Sequence, residues 1–187
     1  SNSKTNNKIF KNLLAYWNLF AYSVITGDPD NDGQTELISY FENSGTGKKG
    51  VIIISNTYSI EWDSSVQYPT QSYGNGYGIA VGDINYDGLN ELCLGSNDGK
   101  INIFSSSTSS SYSLTNSLII SGDSLVWGLK IIDCDDDTRI ELIATTIEGN
   151  IKIYQKFSSN ILLENPQIGW IGAQTGAFNQ IECTDID

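Results

Sequence analysis

Acidic residues recur at a fixed spacing that suits the binding of a hard cation. Residues 28–36, 83–91 and 133–141 each place oxygen-bearing side chains at alternate positions, and 185–187 repeats the opening of the same pattern. Calcium takes about six to eight oxygen ligands, drawn from carboxylates, amide oxygens and backbone carbonyls. We name the complete segments loop one (28–36), loop two (83–91) and loop three (133–141), and number each from position 1 to position 9.

The predicted ligands occupy the same positions in every loop. Positions 1, 3 and 5 supply side-chain oxygens, position 7 supplies its backbone carbonyl, and the carboxylate at position 9 closes the shell. Glycine at position 6 permits the left-handed backbone that turns the chain back over the ion. In loop one the set is Asp28, Asp30, Asp32, the carbonyl of Gln34, and Glu36. In loop two it is Asp83, Asn85, Asp87, the carbonyl of Leu89, and Glu91. In loop three it is Asp133, Asp135, Asp137, the carbonyl of Arg139, and Glu141.

The three predicted calcium sites are not equivalent. Asn85 still offers an oxygen but removes one negative charge, so the second site should be weaker than the first. Loop three carries Thr138 at position 6, where a left-handed backbone costs a β-branched residue about 1–2 kcal/mol. We therefore expect two intact sites and a degraded third.

An EF-hand, a magnesium site and a charged turn without an ion are the rivals to a calcium loop of this kind. An EF-hand needs a bidentate acid at position 12, where this chain has Ser39, Leu94 or Ala144. The flanking residues also alternate with period two, as strands do, rather than with the period of a helix. Magnesium keeps its waters and fits crowded protein ligands poorly. A charged turn without a bound ion is the remaining alternative, although acids packed so closely would repel one another.

The loops belong to an internal repeat. Their first residues, Asp28, Asp83, Asp133 and Asp185, are 55, 50 and 52 residues apart. A short alternating segment precedes each of them, for example Ile79 and Val81, and predicts a first strand. The predicted second, third and fourth strands are Leu37–Phe41, Val51–Ser55 and Ser59–Trp62, then Leu92–Gly95, Ile101–Phe104 and Leu114–Ile120, then Leu142–Thr145, Ile151–Tyr154 and Ile161–Leu163.

Four short antiparallel strands in each unit of about 50 residues are typical of a β-propeller blade. We predict an all-β chain of about three blades plus a partial fourth, forming one partial propeller domain over residues 1–187. The approximate units are 20–70, 71–122, 123–172 and 173–187. Closed propellers need about four to eight blades. We therefore expect the chain to be a fragment of a larger ring, or else to join a second copy.

Composition excludes several classes of function. The chain has 187 residues, a net charge of −12 and no histidine. Nucleic acids and anionic membrane surfaces require clustered lysine and arginine, so neither is an expected partner. Apolar stretches such as Val51–Ile54 are far too short for membrane insertion. Without histidine there is no histidine-based triad, and no nucleophile-elbow, P-loop or HExxH motif occurs, so we predict that the protein is not an enzyme.

The segment 77–95, Tyr-Gly-Ile-Ala-Val-Gly-Asp-Ile-Asn-Tyr-Asp-Gly-Leu-Asn-Glu-Leu-Cys-Leu-Gly, resembles an FG-GAP (VCBS-type) repeat, the unit of integrin α-subunit propellers. Trp127 and Gly128 with loop three are similar to a second copy that lacks the loop glycine. Loop one lacks the aromatic-glycine pair. The resemblance spans about Phe20 to Asp187. It implies structural calcium ions on the lower face of a propeller, and a protein or glycan ligand on the opposite face.

These features favour a non-enzymatic, calcium-binding recognition or adhesion module located outside the cell or on its surface. One alternative is a carbohydrate-binding propeller, either a lectin or part of a polysaccharide-active enzyme. Its candidate stacking residues are Tyr68, Tyr73, Tyr77, Trp127 and Trp170, for which packing between sheets is the competing interpretation. Another alternative is an intracellular scaffold, which unpaired cysteines would suit. Glu61 and Asp63, on either side of Trp62, are expected to be exposed charges.

Overall fold

The computed structural model describes residues 19–68, 78–106, 108, 111–120, 122–123, 125–135, 137–158 and 161–164. The predicted fourth unit (173–187) lies outside these residues, as do Tyr73, Tyr77 and Trp170.

The described chain is all-β and forms three separate antiparallel sheets of four strands each. The first sheet contains β1 (Leu19–Gly27), β2 (Glu36–Asn43), β3 (Lys49–Ile54) and β4 (Ile60–Asp63). The second contains β5 (Ile79–Gly82), β6 (Glu91–Gly95), β7 (Lys100–Ser106) and β8 (Tyr112–Ile119). The third contains β9 (Val126–Ile132), β10 (Glu141–Thr146), β11 (Ile151–Ser158) and β12 (Ile161–Glu164). The strand predictions are therefore confirmed in each of the three units.

Each sheet is a meander, in which strands that follow one another in the chain are also hydrogen-bonded neighbours. This order follows from the short connections, because antiparallel strands need only a tight turn between them. One short helix, α1 (Ser64–Gln67), follows β4. Its N-terminus is capped by the carboxylate of Asp63, which accepts from the backbone N–H of Ser65 at 2.8 Å.

The central strands β6 and β7 of the second sheet are largely buried on both faces, because the first and third sheets pack against its two sides. On β6, Leu92 and Leu94 join the cluster shared with the first sheet, whereas Cys93 joins the cluster shared with the third. All five residues of β6 are buried. This explains why its sequence is a continuous apolar run rather than an alternating one.

The contact between the first and second sheets is repeated between the second and third. A Cβ added to Gly27 would lie 3.0 Å from Cβ of Val81, and one added to Gly82 would lie 2.8 Å from Cγ2 of Ile131. In both cases the glycine directly precedes position 1 of its own loop. The residue that it contacts lies two residues before position 1 of the following loop. Consistent with this, β5 contacts both β1 and β9. Successive sheets are thus placed by the same geometric relation.

The face of the first sheet that points away from the second sheet carries exposed apolar side chains. Val24 is 56% exposed and Leu37 is 41% exposed, and Ile60 lies beside them at 44%. Their chain neighbours Ile25 and Ile38 point to the opposite face and pack into the cluster shared with the second sheet. The first sheet therefore has one face in an interface, whereas its other face combines these exposed side chains with a separate buried apolar cluster.

Within the described part of the chain, no helix has the length and apolar character that crossing a membrane requires. Neither Cys93 nor Cys134 forms a disulfide within the described residues.

Candidate metal sites

The three acidic loops occupy equivalent places in the fold. Loop one joins β1 to β2, loop two joins β5 to β6, and loop three joins β9 to β10. Each loop is therefore the connection between the first and second strands of its sheet. Since the first strands are neighbours, the loops are neighbours too.

A shared set of hydrogen bonds shapes each loop. The carboxylate at position 1 accepts from the backbone N–H of position 6, at 3.0 Å from Gly33, 2.9 Å from Gly88 and 3.0 Å from Thr138. The carboxylate at position 5 accepts from the N–H of position 7 at 2.8 to 2.9 Å in all three loops. The acids at positions 1 and 5 are thus held in place by the loop's own backbone.

Position 6 has a left-handed backbone in every loop. Its φ angle is 84° at Gly33, 89° at Gly88 and 72° at Thr138. Loop three therefore keeps the turn despite its threonine, and bears a strain of about 1–2 kcal/mol.

Carboxylate oxygens converge in loops one and three. In loop one, one oxygen each from Asp28, Asp30 and Asp32 lies within 4.8 Å of the other two. Two oxygens bound to the same calcium ion at about 2.4 Å are at most about 4.8 Å apart, so the spacing fits the ion. In loop three the cluster comprises positions 1, 3 and 9, namely Asp133, Asp135 and Glu141.

Loop two is less acidic, because Asn85 stands at position 3. Its Nδ2 donates to Oε1 of Glu91 at 2.7 Å. Burial, followed by the charges of Asp87 and Asp83, raises the pKa of Glu91 to about 7. Loop two therefore has three acids and one amide at the predicted ligand positions.

The position 7 residues, whose carbonyls were predicted as ligands, lie on the surface. Gln34, Leu89 and Arg139 are all exposed, and their N–H groups are the ones bound by position 5.

The glutamates at position 9 are buried, and two of them are satisfied by the backbone. Oε2 of Glu91 accepts from the N–H of Ile84 at 3.2 Å, and Oε2 of Glu141 accepts from the N–H of Cys134 at 3.0 Å. In both loops the donor is the residue at position 2. A buried carboxylate oxygen with such a donor avoids part of the cost of desolvation.

Loop one lacks this donor, because position 2 is Pro29, which has no N–H. Glu36 is only 2% exposed, yet its Oε2 is buried without a hydrogen-bond partner. Asp30 is equally buried, and its Oδ2 has no partner either. Loop one thus contains two buried carboxylate oxygens that no protein group satisfies.

The electrostatics of loop one reflect this arrangement. Burial, followed by the charges of Asp30, Glu61, Asp32 and Asp28, raises the pKa of Glu36 to about 7. The pKa of Asp30 is also raised, chiefly by burial. A cation placed among these oxygens would supply the missing partner and offset their repulsion.

Loop three receives a donor from another strand. Nε2 of Gln155, on β11, donates to Oε1 of Glu141 at 2.8 Å and to Oδ2 of Asp137 at 3.3 Å. The buried acid of loop three therefore has both an amide and a backbone N–H as partners.

Glu61, which the sequence predicted to be an exposed charge, is partly buried on β4. Its Oε2 is buried without a partner, so the expectation of an exposed charge was wrong. Burial, followed by the charges of Asp30 and Asp32, raises its pKa. The local signal, an acid beside Trp62, did not reveal this placement, because β4 contains a bulge at this point.

Tyr68, a candidate sugar-stacking residue, instead packs between the first two sheets. Its ring lies 6.4 Å from that of Trp62 and 5.2 Å from that of Phe104, both in edge-on geometry. Its hydroxyl donates to the carbonyl of Tyr112 at 3.0 Å. Packing is therefore the correct interpretation for this residue. Trp127 is half-buried.

In each of the first two loops, the side chain at position 4 forms hydrogen bonds to the next loop. Oδ1 of Asn31 accepts from the N–H of Asn90 at 2.7 Å, and its Nδ2 lies 3.3 Å from the carbonyl of the same residue. The hydroxyl of Tyr86 likewise donates to the carbonyl of Ile140 at 3.1 Å and accepts from its N–H. In both pairs the partner is position 8 of the following loop, so the loops form a connected row.

The fold and the loops together define a class of protein: an all-β repeat whose consecutive antiparallel sheets each carry an acidic loop. The chain matches no protein-family model, and no curated protein matches it.

Proposed function

We propose that the chain is a calcium-binding segment of a β-propeller, in which the ions stabilise the loops and the domain serves as a non-enzymatic recognition or adhesion module. The resemblance to FG-GAP repeats supports the same assignment.

The observation that carries the metal assignment is the pair of unsatisfied oxygens in loop one. Oε2 of Glu36 and Oδ2 of Asp30 are buried without partners, and Asp30 also contributes an oxygen to the cluster with Asp28 and Asp32. A buried unpaired carboxylate is costly, and a metal ion is one of the few partners that offsets that cost. Calcium suits an all-oxygen set of this size better than magnesium, which retains its own waters.

The arrangement of the sheets supports a propeller. Three four-stranded meanders pack face to face, their first strands are neighbours, and the same glycine contact is repeated at both interfaces. The outer face of the first sheet exposes Val24, Leu37 and Ile60. A further blade, from a longer chain or from a second copy, would cover this face in a closed ring.

The ions have a structural role under this proposal. They join the first and second strands of each sheet at one end, which leaves the opposite end of the sheets for a protein or glycan ligand. Loops with affinities of about 10⁻⁴–10⁻³ M would be filled outside the cell or on its surface, where calcium is abundant.

The test is thermal unfolding of the 187-residue chain with calcium, with magnesium, or with a chelator. Calcium at about a hundred times its Kd stabilises the folded state by about 2.7 kcal/mol. For a domain of this size that corresponds to a rise in Tm of roughly 5–10 °C. Magnesium at the same concentration should give a much smaller rise.

Two variants make the result specific. Asp28→Asn together with Glu36→Gln should remove most of the calcium response, because both residues belong to loop one. Glu42→Gln, in the same sheet but paired with Lys49 at 3.2 Å, should respond as the unaltered chain does. A Tm that is the same with calcium and with chelator would contradict the proposal.

A further inference from the structure

A reciprocal pair of asparagine side chains joins loop one to loop two. Oδ1 of Asn31 accepts from the N–H of Asn90 at 2.7 Å, and Nδ2 of Asn31 donates to the carbonyl of Asn90 at 3.3 Å. In the other direction, Nδ2 of Asn90 donates to the backbone carbonyl of Asp28 at 2.8 Å. Three hydrogen bonds therefore connect positions 1 and 4 of loop one to a single residue, position 8 of loop two.

In loop one, the asparagine of this pair lies between two predicted calcium ligands. Asn31 separates Asp30 from Asp32, and one carboxylate oxygen from each of these acids lies within 4.8 Å of the other. An ion bound by both acids would hold positions 3 and 5 of the loop. It would thereby fix the backbone at position 4, from which the side chain of Asn31 projects.

In loop two, the same pair determines the orientation of two peptide planes. The N–H of Asn90 belongs to the peptide unit that carries the carbonyl of Leu89, which is a predicted ligand. Because that unit is planar and trans, binding its N–H to Asn31 makes the carbonyl of Leu89 point away from Asn31. The carbonyl of Asn90 belongs to the next peptide unit, which leads into Glu91. Asn31 therefore holds both peptide units between two predicted ligands of loop two.

The backbone at position 4 has the same unusual conformation in both linking loops. Its φ angle is 63° at Asn31 and 56° at Tyr86. Asparagine tolerates the left-handed region, whereas tyrosine rarely adopts it. In each loop the side chain at this position binds position 8 of the following loop. Strained backbone of this kind persists where the surrounding structure demands it, and it is frequent at functional sites.

We propose that the calcium sites of loops one and two are coupled, so that an ion in either loop raises the affinity of the other through Asn31 and Asn90. This inference rests on the proposed calcium function. An ion in loop one holds Asn31, which in turn orders the peptide units on either side of Asn90 before the second ion arrives. The second ion then meets a smaller entropic cost, and by thermodynamic linkage the effect is reciprocal.

The link between loops two and three is a smaller version of the same device. Only one group, the hydroxyl of Tyr86, makes both of the hydrogen bonds described for it, to the carbonyl and the N–H of Ile140. We therefore expect weaker coupling between loops two and three than between loops one and two.

The experiment measures the calcium affinity of loop two with loop one intact and with loop one disabled by Asp28→Asn and Glu36→Gln. Both chains carry Asp133→Asn to weaken loop three, and the amide NMR signals of residues 83–91 report on loop two alone. Disabling loop one should lower the affinity of loop two by roughly fivefold or more, the low end of usual coupling between sites. Asn31→Gly keeps the left-handed backbone and removes the side chain, so it should abolish this difference.

Hydrogen exchange at the amide of Asn90 provides a readout that a purely structural hydrogen bond would not move. In a chain with Asp83→Asn and Asp133→Asn, which weaken loops two and three, calcium should slow this exchange by roughly fivefold or more. The ion then acts from loop one on a residue of loop two. Adding Asn31→Gly should remove the response.

The matched control is Asn56→Ala. Asn56 lies in the turn between β3 and β4, and its amide donates to the side chain of Gln34 in loop one. Its removal should leave the coupling within about twofold of that in the unaltered chain. Asn90→Ala is the second test variant: it removes the bond to the carbonyl of Asp28 and should reduce the coupling without abolishing it.

Three results would overturn the inference. If loop two binds calcium equally well with and without an intact loop one, the sites are independent and the proposed function still stands. If the coupling persists in both Asn31→Gly and Asn90→Ala, it does not pass through these side chains. If the unaltered chain binds no calcium, the proposed function and this inference fail together.

Discussion

Loops one and three share the left-handed turn at position 6 but differ in the hydrogen bonding of their buried glutamate. In loop three, Glu141 accepts from the N–H of Cys134 and from the amide of Gln155. In loop one, Pro29 removes the corresponding N–H, and Oε2 of Glu36 has no partner. The comparison shows that residues outside the acidic positions decide whether the buried glutamate has a hydrogen-bond partner within the protein.

Loop two lies between these extremes. It keeps the backbone donor to Glu91 and adds the amide of Asn85, but it also keeps the strain-free glycine at position 6. We therefore expect calcium dependence to decrease from loop one to loop two to loop three.

The largest expected difference between loops one and three comes from removing the position 9 charge. In saturating calcium, Glu36→Gln should lose about 2–3 kcal/mol of calcium-dependent stabilisation. In chelator the same variant should be more stable than the unaltered chain, because it loses a buried, repelled charge. Calcium and chelator unfolding curves in urea would measure both quantities.

The matched change in loop three should behave differently. In chelator, Glu141→Gln should lower the free energy of unfolding by roughly 1 kcal/mol. The NH2 group of the introduced glutamine is a donor, and it would face another donor, either the amide of Gln155 or the N–H of Cys134. Equal responses of the two variants in chelator would show that the difference between the loops has no energetic consequence.

A smaller effect should follow from exchanging the residues at position 6. Thr138→Gly should raise the free energy of unfolding by up to about 1 kcal/mol and strengthen calcium binding by loop three, because it relieves the left-handed strain. Gly88→Thr should lower the free energy of unfolding by about 1–2 kcal/mol. A Cβ at Gly88 would meet nothing within 4 Å, so any loss there comes from the backbone alone.

Gly88→Asn is the control for this exchange, since asparagine tolerates the left-handed region better than threonine does. If it proves as damaging as Gly88→Thr, backbone strain is not the cause.

The smallest expected effect concerns the hydrogen bonds between loops two and three. Tyr86→Phe removes the hydroxyl that binds both the carbonyl and the N–H of Ile140, and should cost about 0.5–1.5 kcal/mol. Tyr58→Phe is the matched control, because Tyr58 is also an exposed tyrosine with a positive φ angle of 64°. Urea unfolding of the two variants measures the difference. If their midpoints are identical, the contact between loops two and three adds no stability.

Much of the fold could be predicted from local patterns. The alternation of Ile101 and Ile103, for example, correctly placed β7, and the spacing of the acids correctly located the connections between first and second strands. The left-handed backbone at Thr138 was also foreseeable, because loops one and two have glycine at the same position. Each of these features is set by residues close together in the chain.

The sequence by itself determined the strands, their order within each sheet and the acidic loops, because these depend on periodicity and turn chemistry within one repeat. Only the tertiary structure decided that Oε2 of Glu36 and Oε2 of Glu61, which are 25 residues apart in the chain, are both buried without hydrogen-bond partners. It likewise decided that Gln155 donates to Glu141 of loop three. These arrangements depend on the packing of neighbouring strands and sheets, which the local pattern of one repeat does not set.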